Sequence, residues 1–342
     1  AEQPALAEAF RAQGGDVFLS YLNEDGNIDF ESVAYVPLTG TQERDMTEAI
    51  SRLLISGEIT VYFEQGLGEV DPLDNSGTGM SLANALLQEN GLITQPINIE
   101  TLAAQGETVP LDATAIILAR PRIQPSEGAI QVLDDYLNRG GSLFIMADTQ
   151  SEFMTGDSPF NTYLWENYGL RMMDAVVVDF GASGATELDV LSAAVFASEI
   201  AGQIDPTDPE SLAQFRLVRP IEVNEEPPVA NGRVIMSSQA SYAETNLETL
   251  FQRNEYTPDT GEDMEGPLTL VAFADDRNSE TGTGSRIVLV GDSDFVTNGQ
   301  ISSPFGNAYL FTGGLGWLTD FNRDVSFTPE PRVTDIPALF IS

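Results

Sequence analysis

Apolar residues fall along this chain in two alternating kinds of run. The first kind is short and nearly continuous: ITVYF at Ile59–Phe63, AIIL at Ala115–Leu118, SLFIMA at Ser142–Ala147, AVVV at Ala175–Val178 and RIVLV at Arg286–Val290. Such runs read as strands buried on both faces. The second kind recurs at helical spacing. Met46, Ile50, Leu53 and Leu54 mark a helix from Thr41 that Gly57 ends, and Leu82, Leu86 and Leu87 mark one closed by Asn90–Gly91. Ile130, Leu133 and Leu137 face one way in a helix opened by Pro125–Ser126–Glu127 and stopped by Gly140–Gly141. Phe160–Tyr168 and Asn307–Leu318 are expected helices, and Arg233–Met236 and Leu268–Phe273 expected strands. Strands alternating with helices of this length predict an α/β fold, with a mainly parallel sheet carrying helices on both faces.

The ends and one internal stretch depart from this rhythm. The start reads as a short helix at Pro4–Gln13, a strand at Asp16–Tyr21, a turn at Asn23–Gly26 and a strand near Ile28–Val36. From about 181 to 232 the periodicity weakens and Pro206, Pro209, Pro220, Pro227 and Pro228 punctuate it, so an irregular insertion is expected. Pro329, Pro331 and Pro337 make 326–342 an extended stalk. At 342 residues the length suits two domains, or one large domain with an appendage. No stretch approaches the roughly 18 consecutive apolar residues of a membrane-spanning helix. No basic segment followed by an apolar core opens the chain, so a soluble piece without a signal peptide is expected.

Composition narrows the chemistry. There are 53 acidic and 15 basic residues, a formal charge of −38; every basic residue is Arg, and there is no His or Cys. Without Cys there is no disulfide, thiolate nucleophile or thiolate metal site. Without His there is no imidazole base. Without Lys there is no Schiff base and no phosphate-loop lysine. Any metal site would use hard oxygen ligands. The charge repels nucleic acid and anionic membranes. Such a surface suits a salt-adapted or extracytoplasmic protein; a genome that favours Arg over Lys is the alternative reading.

Three segments place carboxylates at expected strand ends, where open α/β sheets bind ligands. In VYFEQGLGEVDP, Glu64 and Glu69 would face the crevice, with Gly66 and Gly68 turning the backbone; the alternative is a Gly-rich loop with solvated acids. GGSLFIMAD ends in Asp148, and GDSDF carries Asp292 and Asp294, with Asn298 shortly after. These could bind a cation or a sugar hydroxyl, or cap the helices that follow. A carboxylate pair of the glycosidase kind is the one common catalytic device left, and no spacing selects a pair. Asp275, Asp276, Asn278 and Glu280 have the acid density of a calcium loop without its spacing, and a polar hairpin is expected there.

Taken in order, several segments resemble the gliding-motility-type ABC-transporter auxiliary family. They are TQERDMTEAISRLLISGEITVYFEQGLGE (41–69), LDDYLNRGGSLFIMAD (133–148), SRIVLVGDSDFVTNG (285–299) and FGNAYLFTGGLGWLTD (305–320). One departure stands out: where the family has His in G-H-G-E, this chain has Leu67. The resemblance implies an extracytoplasmic, non-catalytic interaction domain of a membrane-anchored accessory subunit that associates with an ABC permease and its ATPase. It implies a fold similar to glutamine-amidotransferase-like domains without their catalytic Cys and His, and a related domain in an intraflagellar transport protein is likewise an interaction module. Residues 1–57 would then be the remainder of an N-terminal domain, 58–325 the α/β domain, and the stalk would lead towards a membrane anchor. No cofactor or metal is implied. Loops 64–79, 119–125, 148–159 and 291–304 would present the docking surface. A sugar-binding or sugar-active protein using Glu69, Asp148 and Asp292, and a structural component of the cell envelope, are the alternatives.

Overall fold

The computed structural model describes residues 59–320, apart from 150, 197, 260, 278–283 and 304, together with Val17–Leu19 and Ala34–Val36. Two compact units divide the chain, Ala1–Gly57 with Arg323–Ser342, and Glu58–Asn322. In the first unit β1 (Val17–Leu19) pairs antiparallel with β2 (Ala34–Val36). The helices expected at Pro4–Gln13 and Thr41–Gly57, and the tail 326–342, lie outside the described residues.

The second unit opens as expected, with β3 (Thr60–Glu64) and α1 (Ser81–Glu89), and continues with β4 (Ile93–Ile97) and α2 (Ile99–Gln105). Next come β5 (Ala113–Ala119), α3 (Glu127–Asn138), β6 (Ser142–Met146) and α4 (Pro159–Tyr168). Shorter pieces follow: β7 (Leu170–Met172), β8 (Val176–Asp179), β9 (Asp189–Leu191), β10 (Ala194–Val195), β11 (Gln214–Arg216) and β12 (Ile221–Val223). The chain then forms β13 (Ala230–Met236), β14 (Ser241–Glu244), α5 (Leu247–Arg253), β15 (Met264–Glu265), β16 (Thr269–Asp275) and β17 (Arg286–Val290). It closes with α6 (Asn298–Ile301) and α7 (Asn307–Leu318).

The parallel centre of the main sheet runs β17-β6-β5-β3-β4. β16 joins β17 antiparallel and extends the sheet through β13 to β10, while β12 pairs with β16 and β7. β9 pairs with β11, and β15-β14-β8 make a separate small sheet. The apolar runs follow from this placement. Alternate residues of one strand face opposite sides, and both sides are covered. Ile116, Leu118, Leu143, Ile145, Ile287 and Leu289 pack with Leu133, Tyr136 and Leu137 of α3 and with Phe160 and Leu164 of α4. Phe144 points the other way and meets Phe311 of α7 edge to face, with ring centroids 5.6 Å apart.

β4 and α2 escape the sequence pattern for a physical reason. β4 reads ITQPI, and a proline cannot donate to a ladder; it is tolerated because β4 is the outermost strand, bonded only to β3. The seven-residue α2 buries only Ile99 fully, too little for a periodic signal. The antiparallel wing has a similar cause: its short strands leave no period to read. Within 181–232, β9 to β12 are each two or three residues long.

From β3 the chain steps outward to β4, then returns past β3 to β5. The crevice beyond the carboxyl ends of β3 and β5 is therefore the switch point where such sheets take ligands. Gly291, which follows β17, lets the chain pass tightly there: its carbonyl accepts the Arg219 amide at 2.7 Å, and a Cβ would stand 1.9 Å from the Arg219 carbonyl oxygen. Gly291→Ala should therefore cost about 3 kcal/mol or more, since backbone rather than a mobile side chain must move. Gly77→Ala, with nothing within 4 Å, should leave the chemical-denaturation midpoint unchanged. Equal midpoints for the two variants would refute the close approach.

Candidate functional site

β3 ends in a carboxylate that faces inward. Glu64 is 1% exposed; its Oε1 accepts the Gly66 amide at 2.6 Å and its Oε2 the Ile99 amide at 3.0 Å, so it anchors the first turn of α2. Gly66 is required beside it, because a Cβ would lie 2.5 Å from Glu64 Oε1. In the same loop Glu69 Oε2 accepts the Leu67 amide at 2.8 Å, while its Oε1 is buried with no hydrogen-bond partner. Burial, and then the Glu69 charge, push Glu64 up to about 8. Burial pushes Glu69 up to about 7. A proton on the bare Glu69 oxygen removes the cost of burying an unpaired charge. Leu67, at the position the resemblance gives to His, is fully buried in the core.

The second group gathers at the ends of β5, β6 and β17. Arg120 follows β5 with φ of 58° and lies between two acids, 4.0 Å from Asp148 and 3.6 Å from Asp294. Its Nη2 also reaches the Thr78 carbonyl at 3.4 Å. Asp148 Oδ1 accepts the Ser293 amide at 2.7 Å. Asp292 is almost wholly buried; Oδ2 accepts the Arg216 amide and Oδ1 the Asp294 amide, at 2.9 and 2.8 Å. Burial, and then the Asp148 and Asp294 charges, hold the Asp292 carboxyl well above the usual carboxylate range. Asp148 is raised by burial and then by Asp294. The structure thus brings Asp148, Asp292 and Asp294 together.

Asn298 sits at this edge as a tie. Its Oδ1 accepts the Leu82 amide at 2.8 Å, and its Nδ2 donates to the Asp74 and Ser76 carbonyls at 3.0 and 2.7 Å. Those bonds fasten α6 to the loop before α1 and use up the amide's polar atoms.

Beside Asp148 lies a cavity of about 530 Å³, lined in part by Ser151, Asp174, Arg219, Phe251 and Gln252. Arg219, 2% exposed, donates to the carbonyls of Met173, Phe153 and Met154 and to Asp174 Oδ1. It locks the segment after β6 to the turn between β7 and β8. Burial lowers its pKa to about 10, still charged at neutral pH.

Sequence reasoning missed Arg120 and Arg219. Arg120 was within reach: it follows the apolar run of β5, where the switch-point rule directs attention. Nothing local marks Arg219, whose partners lie 45 to 66 positions away in the chain.

Raised carboxylates have a visible consequence in a chain without His, Cys or Lys, because no unperturbed side chain titrates between about pH 6 and 8.5. Glu64 and Glu69 rise from 4.5 to about 8 and 7 on folding, so the folded state holds protons that the unfolded chain releases. Stability from the pair is complete below about pH 4.5 and falls as pH climbs through about 7 and 8. Asp148 and Asp292 act in the same direction. At constant salt the melting temperature should fall between about pH 6 and 8.5, and Glu69→Gln should flatten that slope by removing one titration and lowering the other. An unchanged slope in the variant would show that the pair is not the source.

Comparison with known proteins agrees with this architecture. The mmIFT52 N-terminal domain is similar, with a TM-score of 0.52 and 18% identity, over 76% of this chain and 97% of that one. A putative ThuA-like protein from Bacteroides uniformis matches with a TM-score of 0.43 and 8% identity, over 76% of this chain and 90% of that one. At these identities the first likeness shows the fold alone. No curated protein sequence is a significant match. The family model described as ABC-type uncharacterized transport system matches residues 60–313, from the first strand of the α/β unit into its last helix, and the chain belongs to that auxiliary family of ABC-type transport systems.

Proposed function

We propose that this chain is a non-catalytic interaction domain, an extracytoplasmic part of a membrane-anchored accessory subunit that docks on an ABC permease and ATPase. The observation that carries the reading is how the strand-end acids are used. Glu64, Asp148 and Asp292 each accept backbone amides, and Asn298 ties two loops together. A general acid or base needs to meet a substrate; these groups are committed to holding loops in place. The chain offers no imidazole, thiol or amine to replace them. Membership of a transport-system family makes transporter subunits the natural partners. The gliding-motility-type subgroup, the amidotransferase-like fold without its catalytic residues and the anchor beyond 326–342 belong to the same reading.

The loops so fixed are 64–79, 119–125, 148–159 and 291–304. Two of them expose large aliphatic side chains, Leu73 at 69% and Ile123 at 48%, and the Ile123 amide bonds the Leu67 carbonyl of the neighbouring loop. Among the described residues, no helix is long and apolar enough to cross a membrane. Full-length protein purified from mild-detergent membranes should bring a permease and an ATPase with it. Leu73→Asp with Ile123→Asp should reduce that recovery at least tenfold while leaving the melting temperature unchanged. Undiminished recovery would move the docking surface elsewhere, and saturable substrate turnover lost in Asp148→Asn would overturn the non-catalytic reading.

A second reading, a small polyhydroxylated ligand, is favoured by the cavity beside Asp148. Its lining joins carboxylates, Ser151 and Gln252 with the ring of Phe251, a mixture that suits hydroxyl recognition with stacking. Glycan-array binding that Phe251→Ala abolishes is the outcome expected of that reading.

A further inference from the structure

In the acid-rich stretch most like a calcium loop in sequence, Asn278 and Glu280 lie outside the described residues. Asp275 pairs with Arg277 and Arg286. Another acidic group, around the small sheet β15-β14-β8, has no such cation. Glu244 at the end of β14, and Asp259 and Asp263 in the loop between α5 and β15, each place one carboxylate oxygen within 4.8 Å of the others. Among the described residues, no arginine pairs with any of the three. Glu244 is 2% exposed, and its Oε1 accepts the Asn246 amide at 2.8 Å. Asp263 organises the loop: Oδ1 accepts the Thr245 amide and hydroxyl at 3.0 and 2.8 Å, and Oδ2 the Asp259 amide at 2.8 Å. The Asp259 carboxylate, on an exposed residue, makes no hydrogen bond among the described residues.

A second observation points into the same spot. Tyr242 lies two residues before Glu244 on β14 and therefore on the same face. The residue is 5% exposed, and its phenolic oxygen is buried without a hydrogen-bond partner. A buried, partnerless hydroxyl on the strand face that carries Glu244 is a polar group that a further ligand or its water would satisfy. Three carboxylates brought this close repel one another, and either a cation or a proton must offset them.

We propose that Glu244, Asp259 and Asp263 form a divalent-cation site that takes calcium. All the donors are hard oxygens, supplied by one strand and one loop rather than by a rigid octahedron, and this favours the larger, geometrically tolerant ion over magnesium. Glu244 Oε2 and the Asp259 carboxylate are ligands, Asp263 adds an oxygen while keeping its loop bonds, and waters complete the shell beside Tyr242. Binding would tie Asp259 and Asp263 to Glu244 of β14. An affinity on the order of 10⁻⁴–10⁻³ M, usual for extracellular modules, is expected.

The obvious confounder is diffuse cation binding to a chain of charge −38. Chelator-treated protein should be titrated with terbium, exciting tyrosine and reading terbium luminescence, and then with calcium or magnesium as competitor at constant ionic strength. The expected result is saturation near one ion per chain, displaced by calcium at a lower concentration than by magnesium. Asp259→Asn should weaken terbium and calcium at least tenfold. Glu262→Gln, an equal charge change on an exposed neighbour, should leave both unchanged. Calcium should also raise the melting temperature of the unaltered chain, and not that of Asp259→Asn. Non-saturating luminescence, equal loss in both variants, or a saturable site indifferent to Asp259→Asn would each overturn the assignment in favour of a proton held by Glu244.

Discussion

The constraint that shapes this protein is how it buries carboxylates with few cations to set against them. It has 53 acidic side chains and 15 arginines. Backbone amides therefore do much of what salt bridges do elsewhere. Glu64 is held by the Gly66 and Ile99 amides, Asp179 by those of Gly181, Ala182 and Ser238, and Asp292 by those of Arg216 and Asp294. Hydrogen bonds to a charged acceptor are about twice as strong as neutral ones, and each of these joins segments distant in sequence or fixes the turn after a strand. The acids that attract attention as a possible active site are in large part the fasteners of the loops around it.

Arginine is spent where amides cannot serve. Arg219 satisfies three carbonyls and one carboxylate from a nearly inaccessible position. Arg286 stacks on Trp317, 4.4 Å from the ring centroid, while pairing with Asp275 and Asp320. Arg120 spans Asp148 and Asp294 at the strand ends. Arg120 and Arg219 hold the carboxyl-end loops on a sheet whose strands are buried on both sides, and Arg286 secures its opposite, amino-terminal edge. A surface built this way is preorganised, and preorganisation lowers the ordering cost of docking a partner. On the reading proposed above, that preorganised surface is what a transporter partner docks on.

Much of the fold was legible. Every long apolar run became a buried strand, and the helices opened by Ser126 and Ser158 lie where their patterns put them. What escaped was short or carried misleading residues: β4 with Pro96, α2 with one fully buried side chain, and the two- and three-residue strands of the antiparallel wing. For the site, the acids at the strand ends were visible from their positions after apolar runs. Their roles were not, because a carboxylate's partner can be an amide that no side-chain pattern encodes.

The sequence alone determined the element types, through the period of its apolar residues, and the missing chemistry, through the absence of imidazole, thiol and amine. It also placed Glu64, Asp148 and Asp292 at strand ends. Strand order and register, which only the tertiary structure sets, decided that Asp148 meets Asp292 and Asp294 across β6 and β17, that Glu64 turns inward to α2, and that Glu244 meets Asp259 and Asp263. The reason is geometric: local pattern fixes which face a residue takes, while contact across tens or hundreds of positions depends on which strands lie side by side.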